Sequence, residues 1–262
     1  MRILIAVAIT ILMVSPALAV QGDGEPQANE VTIAPVPFGV GERLDYRVKF
    51  GPLKVGGAFM SVMAIDTVAG HPTYHLNSLI EGATPFYKLE DKQESWLDVG
   101  LLASRRFRQD SHQGNYERYR EYQFDLAQGI YTDQDGETDS IPQLALDEAS
   151  FVYFVRAVPL EVGETYEWNR YFKADRNPVI LEVLRREKVE VPAGKFRTIV
   201  VRPIIKTGGI FSEGGEAEIY ITDDDRRIPV MMKSKLPVGR LTLELTDYTP
   251  GAPLTAEMLA EK

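Results

Sequence analysis

The clearest signal in the chain is an alternation of apolar and polar residues in its last third. The opposite face of these segments carries Glu218, Lys233 and Glu244, among other polar residues. Such a pattern predicts an antiparallel meander with one covered and one wet face. Three consecutive segments each place apolar side chains on one face: Ala217, Ile219 and Ile221; Ile228, Val230 and Met232; and Leu241, Leu243 and Leu245.

The same alternation begins near Gly41. In Arg43–Phe50 the odd positions are charged, and the even positions are Leu44, Tyr46, Val48 and Phe50. Further strands are predicted near 55–65, 73–81, 88–98, 104–112 and 116–125. We therefore expect an all-β protein: a curved antiparallel sheet or incomplete barrel of about twelve strands.

One helix interrupts the strands. An acidic stretch at 133–139 breaks the β pattern, after which Asp147 can cap a helix that runs through Val158. Apolar residues then recur at helical spacing until Pro159. We expect the helix, 147–158, to pack on the concave side of the sheet. Its apolar stripe consists of Phe151, Val152, Phe154, Val155 and Val158.

The two sides of the helix resemble each other in sequence. Residues 36–46 align without a gap on 158–168, and Ala69-Gly70 corresponds to Ala193-Gly194. This similarity predicts two related meanders, 41–126 and 163–248, within a single β domain that spans 41–250. The alternative is that any meander reuses Gly-Glu starts and Ala-Gly turns.

The ends of the chain read as processing and connecting segments. Arg2, the apolar run 3–14 and Ala17-Leu18-Ala19 form a signal-peptide pattern, with cleavage expected after Ala19. A membrane anchor is the alternative, but the run is shorter than the ~20 apolar residues of a spanning helix. We expect a signal peptide at 1–19, a flexible leader at 20–40 and a C-terminal tail at 251–262. The expected location is therefore the periplasm, with no transmembrane segment after cleavage.

Composition excludes several classes of protein. The 262 residues include no Cys, which rules out disulfides, thiolate metal sites and a lipidated cysteine. The formal net charge is -9, so nucleic acid and anionic lipid surfaces are repelled overall.

No residue pattern names a reaction. The chain has three histidines, His71, His75 and His112, and none is placed for a catalytic triad or a zinc site. We therefore expect no catalytic residue and no cofactor.

Two polar clusters have alternative interpretations. The acidic loop Asp133, Asp135, Glu137 and Asp139 alternates like a calcium loop, but it departs from EF-hand spacing, which favours a solvated loop. Tyr116, Tyr119 and Tyr122, with Arg118 and Arg120 between them, could stack on sugars. In a half-exposed sheet, tyrosines and arginines spaced in this way more often form cross-strand pairs than a sugar-binding site.

Four segments resemble a known family: GERLDYRVKF at 41–50, SFVYF at 150–154, VPAGKF at 191–196 and TDDDRRIPV at 222–230. Together they resemble DUF3108, a bacterial envelope family of unknown function. The resemblance implies a fold and a location but no catalytic residue. The strand-rich pattern is also similar in architecture to the lipoprotein carriers of the LolA/LolB type, whose curved open barrel holds acyl chains under a helical lid.

The function expected from these features is a non-enzymatic binding or carrier module for an apolar or amphipathic envelope molecule, such as a lipid. The alternative is a structural or interaction protein whose concavity is filled by side chains. No protein partner can be named. The residues predicted to line a ligand cleft are Phe151, Phe154, Val155, Ile219, Ile221, Val230 and Leu243.

Overall fold

The structure is a computed structural model that describes residues 34–84, 87–205, 217–236 and 239–260. The predicted signal peptide 1–19, and the leader as far as residue 33, lie outside the described residues. Within the described part of the chain, no helix is long and apolar enough to cross a membrane.

Fourteen strands of the described chain form one antiparallel sheet. Two helices accompany it, α1 (Glu148–Ala157) and α2 (Ala256–Ala260), with a 3₁₀ turn at Ala174–Arg176. The strands are β1 (Arg43–Phe50), β2 (Leu53–Val68), β3 (His71–Thr84), β4 (Tyr87–Asp98), β5 (Ser104–Gln113), β6 (Tyr116–Asp125), β7 (Ile130–Asp133), β8 (Thr138–Ser140), β9 (Thr165–Trp168), β10 (Val179–Val191), β11 (Gly194–Ile204), β12 (Glu218–Thr222), β13 (Pro229–Leu236) and β14 (Gly239–Thr249).

The sheet is a meander whose first and last strands meet in its middle. Its order is β8-β7-β6-β5-β4-β3-β2-β1-β14-β13-β12-β11-β10-β9. β1 pairs with β14 from Arg43 opposite Thr249 to Phe50 opposite Leu241. The two edges, β8 and β9, are neighbours in sequence but show no pairing in the described residues, so the sheet is not closed into a barrel.

The all-β prediction is confirmed, and the strand count needs a correction. Two short strands that we did not predict, β7 and β8, lie on either side of a tight turn at 134–137 within the acidic stretch, which makes fourteen strands instead of about twelve. The turn is built by Asp133, whose Oδ1 accepts from the amides of Asp135 and Glu137 at 3.0 and 2.9 Å. Polar strands this short carry no period-two signal. The two predicted halves occupy consecutive places in the sheet, β6 to β1 and β14 to β9.

α1 begins at a buried cap. Asp147 Oδ1 accepts from the amides of Ala149 and Ser150 at 2.9 and 2.8 Å, and Ser150 Oγ accepts from the amide of Asp147. Ser95 of β4 donates to Asp147 Oδ2 at 2.6 Å, and Ser104 of β5 accepts from the Asp147 amide at 3.0 Å. The capping box of the helix is therefore fixed to two strands.

α1 ends at a buried ion pair. Arg156 and Glu42 are both about 1% exposed, and the guanidinium binds the carboxylate through two bonds of 2.6 and 2.8 Å. Arg156 also donates to the carbonyls of Pro37 and Arg227 at 3.2 and 2.9 Å. Burial opposes the charge, but the hydrogen bonds that Arg156 donates to Glu42 and the charge of that carboxylate outweigh it and raise the pKa of Arg156. One side chain thus joins the helix to the start of β1 and to the turn before β13.

Candidate functional site

A cleft of about 1050 Å³ lies between α1 and the inner face of the sheet, which we define as the face that α1 covers. It is bounded by β1 to β6 and by β13 and β14. Small-molecule sites are typically ~300–1,000 Å³, so the cleft is at the upper end of that range.

Most of the cleft wall is apolar. The period-two alternation places side chains of six neighbouring strands on the same surface. The apolar lining comprises Val48 and Phe50 of β1, Val55, Ala58 and Met60 of β2, Leu76 and Ile80 of β3, Leu89 of β4, Met232 of β13, and Leu241 and Leu243 of β14.

α1 contributes one of its two faces to the cleft. Glu148, Ala149, Val152 and Tyr153 line it. Tyr153 is 1% exposed, and its hydroxyl has no hydrogen-bond partner among the described residues. Burial is the main cause that raises the pKa of this phenol well above its ordinary value, so it is a neutral donor.

A polar network forms the wall next to the start of α1. Asp91 of β4 accepts from the amides of Gln93 and Gln109, both at 2.7 Å. Arg120 of β6 donates to Gln109 Oε1 at 2.8 Å, and its guanidinium lies 3.4 Å from Glu148 Oε1. Burial opposes the charge of Arg120, but Glu148 and neighbouring groups outweigh it and raise its pKa.

Four cations line this wall: Arg118 and Arg120 of β6, and Lys173 and Arg176 of the segment before β10. The Lys173 ammonium lies 5.6, 5.7 and 5.5 Å from the ring centroids of Tyr122, Tyr131 and Phe172. Burial lowers the pKa of Lys173, and so do the positive charges of Arg176, Arg120 and Arg118. The three arginine charges therefore act on Lys173, and the carboxylate of Glu148 partly offsets them.

The structure separates the seven residues that we predicted to line the cleft. Leu243 lines it. The other six, which are 0–5% exposed, belong to the buried core: Phe151, Phe154, Val155, Ile219, Ile221 and Val230. Among these core residues, Phe154 of the helix packs edge-on against Trp168 of β9, with ring centroids 5.2 Å apart. The cleft is left to the opposite, mixed face of α1.

Sequence reasoning missed the polar wall, although one signal was present. Tyr116, Arg118 and Arg120 alternate along β6, and all three line the cleft. Tyr119 falls between them on the outer face, where it is 49% exposed and donates to Glu121. Lys173 and Arg176 lie in an irregular segment, where no alternation of apolar and polar residues could predict their positions.

The other polar candidates lie away from the cleft. On the outer face His75 stacks on Trp96 with ring centroids 4.5 Å apart, and His112 lies near Asp110 and Glu117. The four calcium candidates sit at the β7–β8 hairpin, and among the described residues no group of three or more carboxylates and histidines could hold a metal ion.

Comparisons with known proteins agree with this fold. Residues 45–246 match the family model described as "Protein of unknown function (DUF3108)". The β-barrel-like protein of domain of unknown function DUF1849 from Brucella abortus is 10% identical, with 83% of this chain and 100% of that chain covered and a TM-score of 0.51. A protein from Parabacteroides distasonis described as a candidate lipoprotein is 10% identical over 82% of this chain and 99% of its own, with a TM-score of 0.34. No curated protein sequence matches. At such low identity, the likeness to the Brucella protein supports the fold alone.

Proposed function

The chain belongs to the DUF3108 family, and we propose that it is a non-enzymatic binding protein that holds an apolar or amphipathic molecule of the cell envelope. The observation that carries the proposal is the cleft of about 1050 Å³ between α1 and the sheet, most of whose wall is apolar. The signal-peptide pattern at 1–19 supports an exported protein, with the periplasm as its proposed location.

The cleft favours a ligand with an alkyl or acyl chain. Its walls carry aliphatic side chains from neighbouring strands, and a connected network of polar groups lies next to the start of α1. Burying a methylene contributes about 0.8 kcal/mol, which is about fourfold in Kd. The Tyr153 hydroxyl, buried and without a described partner, offers a donor to a polar atom of the ligand.

The alternative, a structural protein with a filled interior, accounts for the packed part of the molecule. It does not account for the open space beside α1, where small or polar side chains such as Ser78, Gln93 and Ser111 face inward. We therefore favour binding over a purely structural role.

The test uses neutral monoacylglycerols of increasing chain length, which displace an environment-sensitive apolar dye from the purified protein. We expect saturable binding that strengthens by up to about fourfold for each added methylene. Ser78→Trp should abolish binding, because Ser78 lines the cleft and makes no side-chain hydrogen bond in the described structure, so the indole occupies the cavity.

The matched control is Lys92→Trp on the outer face of the neighbouring strand, where the lysine side chain is 53% exposed. It should bind the probes as the wild type does. Saturable binding that survives Ser78→Trp in a folded protein, or no saturable binding by the wild type, would contradict the proposal.

A further inference from the structure

We infer that the ligand of the cleft is an anionic amphiphile, an acyl chain with a negatively charged headgroup that sits between Arg118 and Arg120 on one side and Lys173 and Arg176 on the other. This inference rests on the proposed binding function and specifies the charge of the ligand.

The charge of the wall is opposite to that of the whole chain. The protein has a formal net charge of -9, yet four cations and two carboxylates, Asp91 and Glu148, line the polar wall. Both carboxylates bond to the protein, Glu148 through Oε1 only, since its buried Oε2 has no hydrogen-bond partner among the described residues. Asp91 accepts from two glutamine amides, and Glu148 accepts from Tyr171 at 2.9 Å and lies near Arg120. The excess charge at this wall is therefore positive.

Two of the cations have no carboxylate at ion-pair distance in the described structure. Arg118 is exposed on β6 and forms no hydrogen bond or ion pair with the described residues. Lys173 is held by three aromatic rings, which fix its position without neutralising it. Burial lowers the pKa of Lys173, and the positive charges of Arg176, Arg120 and Arg118 lower it further against the opposing effect of Glu148. A bound anion would offset the repulsion from these arginines.

The rest of the lining explains why the anion should carry a chain. A fifth cation, Lys233, is on the far side of the cleft, but its ammonium is 3.0 Å from Tyr220 Oη and thus already engaged. The positive charge is therefore concentrated at one wall, and the apolar side chains of β1, β2, β3 and β14 extend away from it. A charged head and an apolar tail complement these two parts.

The experiment compares three probes: a fatty acid, the monoacylglycerol of the same chain, and inorganic phosphate. The measurement is made at a pH where the carboxylate of the fatty acid is ionised. We expect the wild type to bind the fatty acid at least about tenfold more tightly than the neutral lipid, because hydrogen bonds to a charged group increase the affinity by at least that factor. The preference should narrow as salt is added, because Arg118 is exposed to screening.

Arg118→Gln/Lys173→Gln should bring the ratio of the two affinities close to one, because it weakens the binding of the fatty acid more than that of the neutral lipid. The control is Lys88→Gln/Lys195→Gln, which removes the same charge from side chains that are 73% and 78% exposed and do not line the cleft. Glu148→Gln should raise the affinity for the fatty acid severalfold, because it removes a negative charge beside the headgroup. Arg118→Gln alone tests the inference even if the loss of Lys173 harms folding, since Arg118 has no described partner to lose.

The possible outcomes distinguish a failure of the inference about the headgroup from a failure of the proposed binding function. If the wild type bound the fatty acid and the neutral lipid with equal affinity, the inference of an anionic headgroup would be wrong, but the proposed binding function would not be affected. If inorganic phosphate bound as tightly as the fatty acid, the inference that the ligand carries an apolar chain would be wrong. Failure of both lipids to bind would overturn the proposed function, and this inference with it.

Discussion

The inner face of the sheet has two sides that differ in how completely they are filled. On the closed side, β9 to β12 and the adjoining part of β13, residues such as Ile219, Ile221 and Val230 are at most 1% exposed. On the cleft side, β2 to β6, the inward positions include Ser78, Gln93 and Ser111, and an open space remains. Both sides alternate with the same period. The size and polarity of the inward residues therefore decide whether a strand pattern yields a core or a cleft.

α1 divides the two sides along its own axis. Phe151, Phe154 and Val155 face the core, and Val152 and Tyr153 face the cleft. Phe154 meets Trp168 edge-on at 5.2 Å, and the Arg170 guanidinium lies 4.3 Å from its ring centroid. A helix held so firmly on one side can carry a cleft on the other without depending on a ligand for its position.

The largest expected effect is at the end of α1. Arg156→Met should lower the free energy of unfolding by about 3–5 kcal/mol, because it leaves Glu42 as an uncompensated buried charge. Urea unfolding measures the loss. The double variant Glu42→Gln/Arg156→Met should be more stable than the single one, since it removes the charge as well as its partner. A loss below about 1 kcal/mol would show that this end of the molecule is accessible to water.

Phe154→Ala tests the closed side directly. Truncating a packed phenylalanine costs about 3–5 kcal/mol, from lost burial and from the cavity left behind. We expect a loss in this range in urea unfolding, with little change in the affinity for a lipid probe. If the residue instead roofed the ligand, the loss would be nearer 1 kcal/mol and binding would weaken.

The buried cap of α1 predicts a pH dependence. Burial raises the pKa of Asp147 to about 6, although hydrogen bonds from Ser150, Ser95 and Ser104 oppose the shift. Between about pH 4 and pH 6 the folded chain therefore holds a proton that the unfolded chain has lost. Its free energy of unfolding falls as the pH rises through this window, by on the order of 2–3 kcal/mol.

Asp147→Asn isolates this contribution, because asparagine keeps the capping oxygen but does not titrate. The difference in unfolding free energy between wild type and variant, measured across the window, cancels the other carboxylates. The wild type should lose stability relative to the variant as the pH rises. A difference that is constant with pH would mean that Asp147 titrates alike in both states.

Val152→Ala probes the cleft face of the same helix. We expect a loss of about 1 kcal/mol, because the removed methyl groups border a space that is already open. The affinity for a neutral lipid should fall severalfold in the same protein. A loss of stability as large as that of Phe154→Ala, together with unchanged lipid binding, would show that the two faces of α1 are equally packed.

The smallest effect is expected at the β7–β8 hairpin on the free edge of the sheet. Millimolar calcium should leave the melting temperature unchanged, because Asp133 is already used by the turn amides. A site filled at a hundred times its Kd would add about 2.7 kcal/mol. A calcium-dependent rise that Asp135→Ala abolishes would identify a metal site.

Part of this structure was predictable because its causes are local. Alternation with period two predicted the long strands, such as Arg43–Phe50, and Asp147 followed by a helical stripe predicted α1. The β2–β3 turn has the same origin, since Ala69 and Gly70 both take positive φ values of 49° and 79°. β7 and β8 were missed because strands of four and three residues are too short to show an alternation.

By itself the sequence determined the all-β class, the meander and the position of the helix, since these follow from residues close together in the chain. Tertiary structure alone decided that β1 pairs with β14, that α1 buries its most apolar stripe in the core, and that Arg118, Arg120, Lys173 and Arg176 line one cleft. A cleft forms where side chains from distant segments do not fill the space between them. The periodicity of each segment does not predict the combined volume and charge of these side chains.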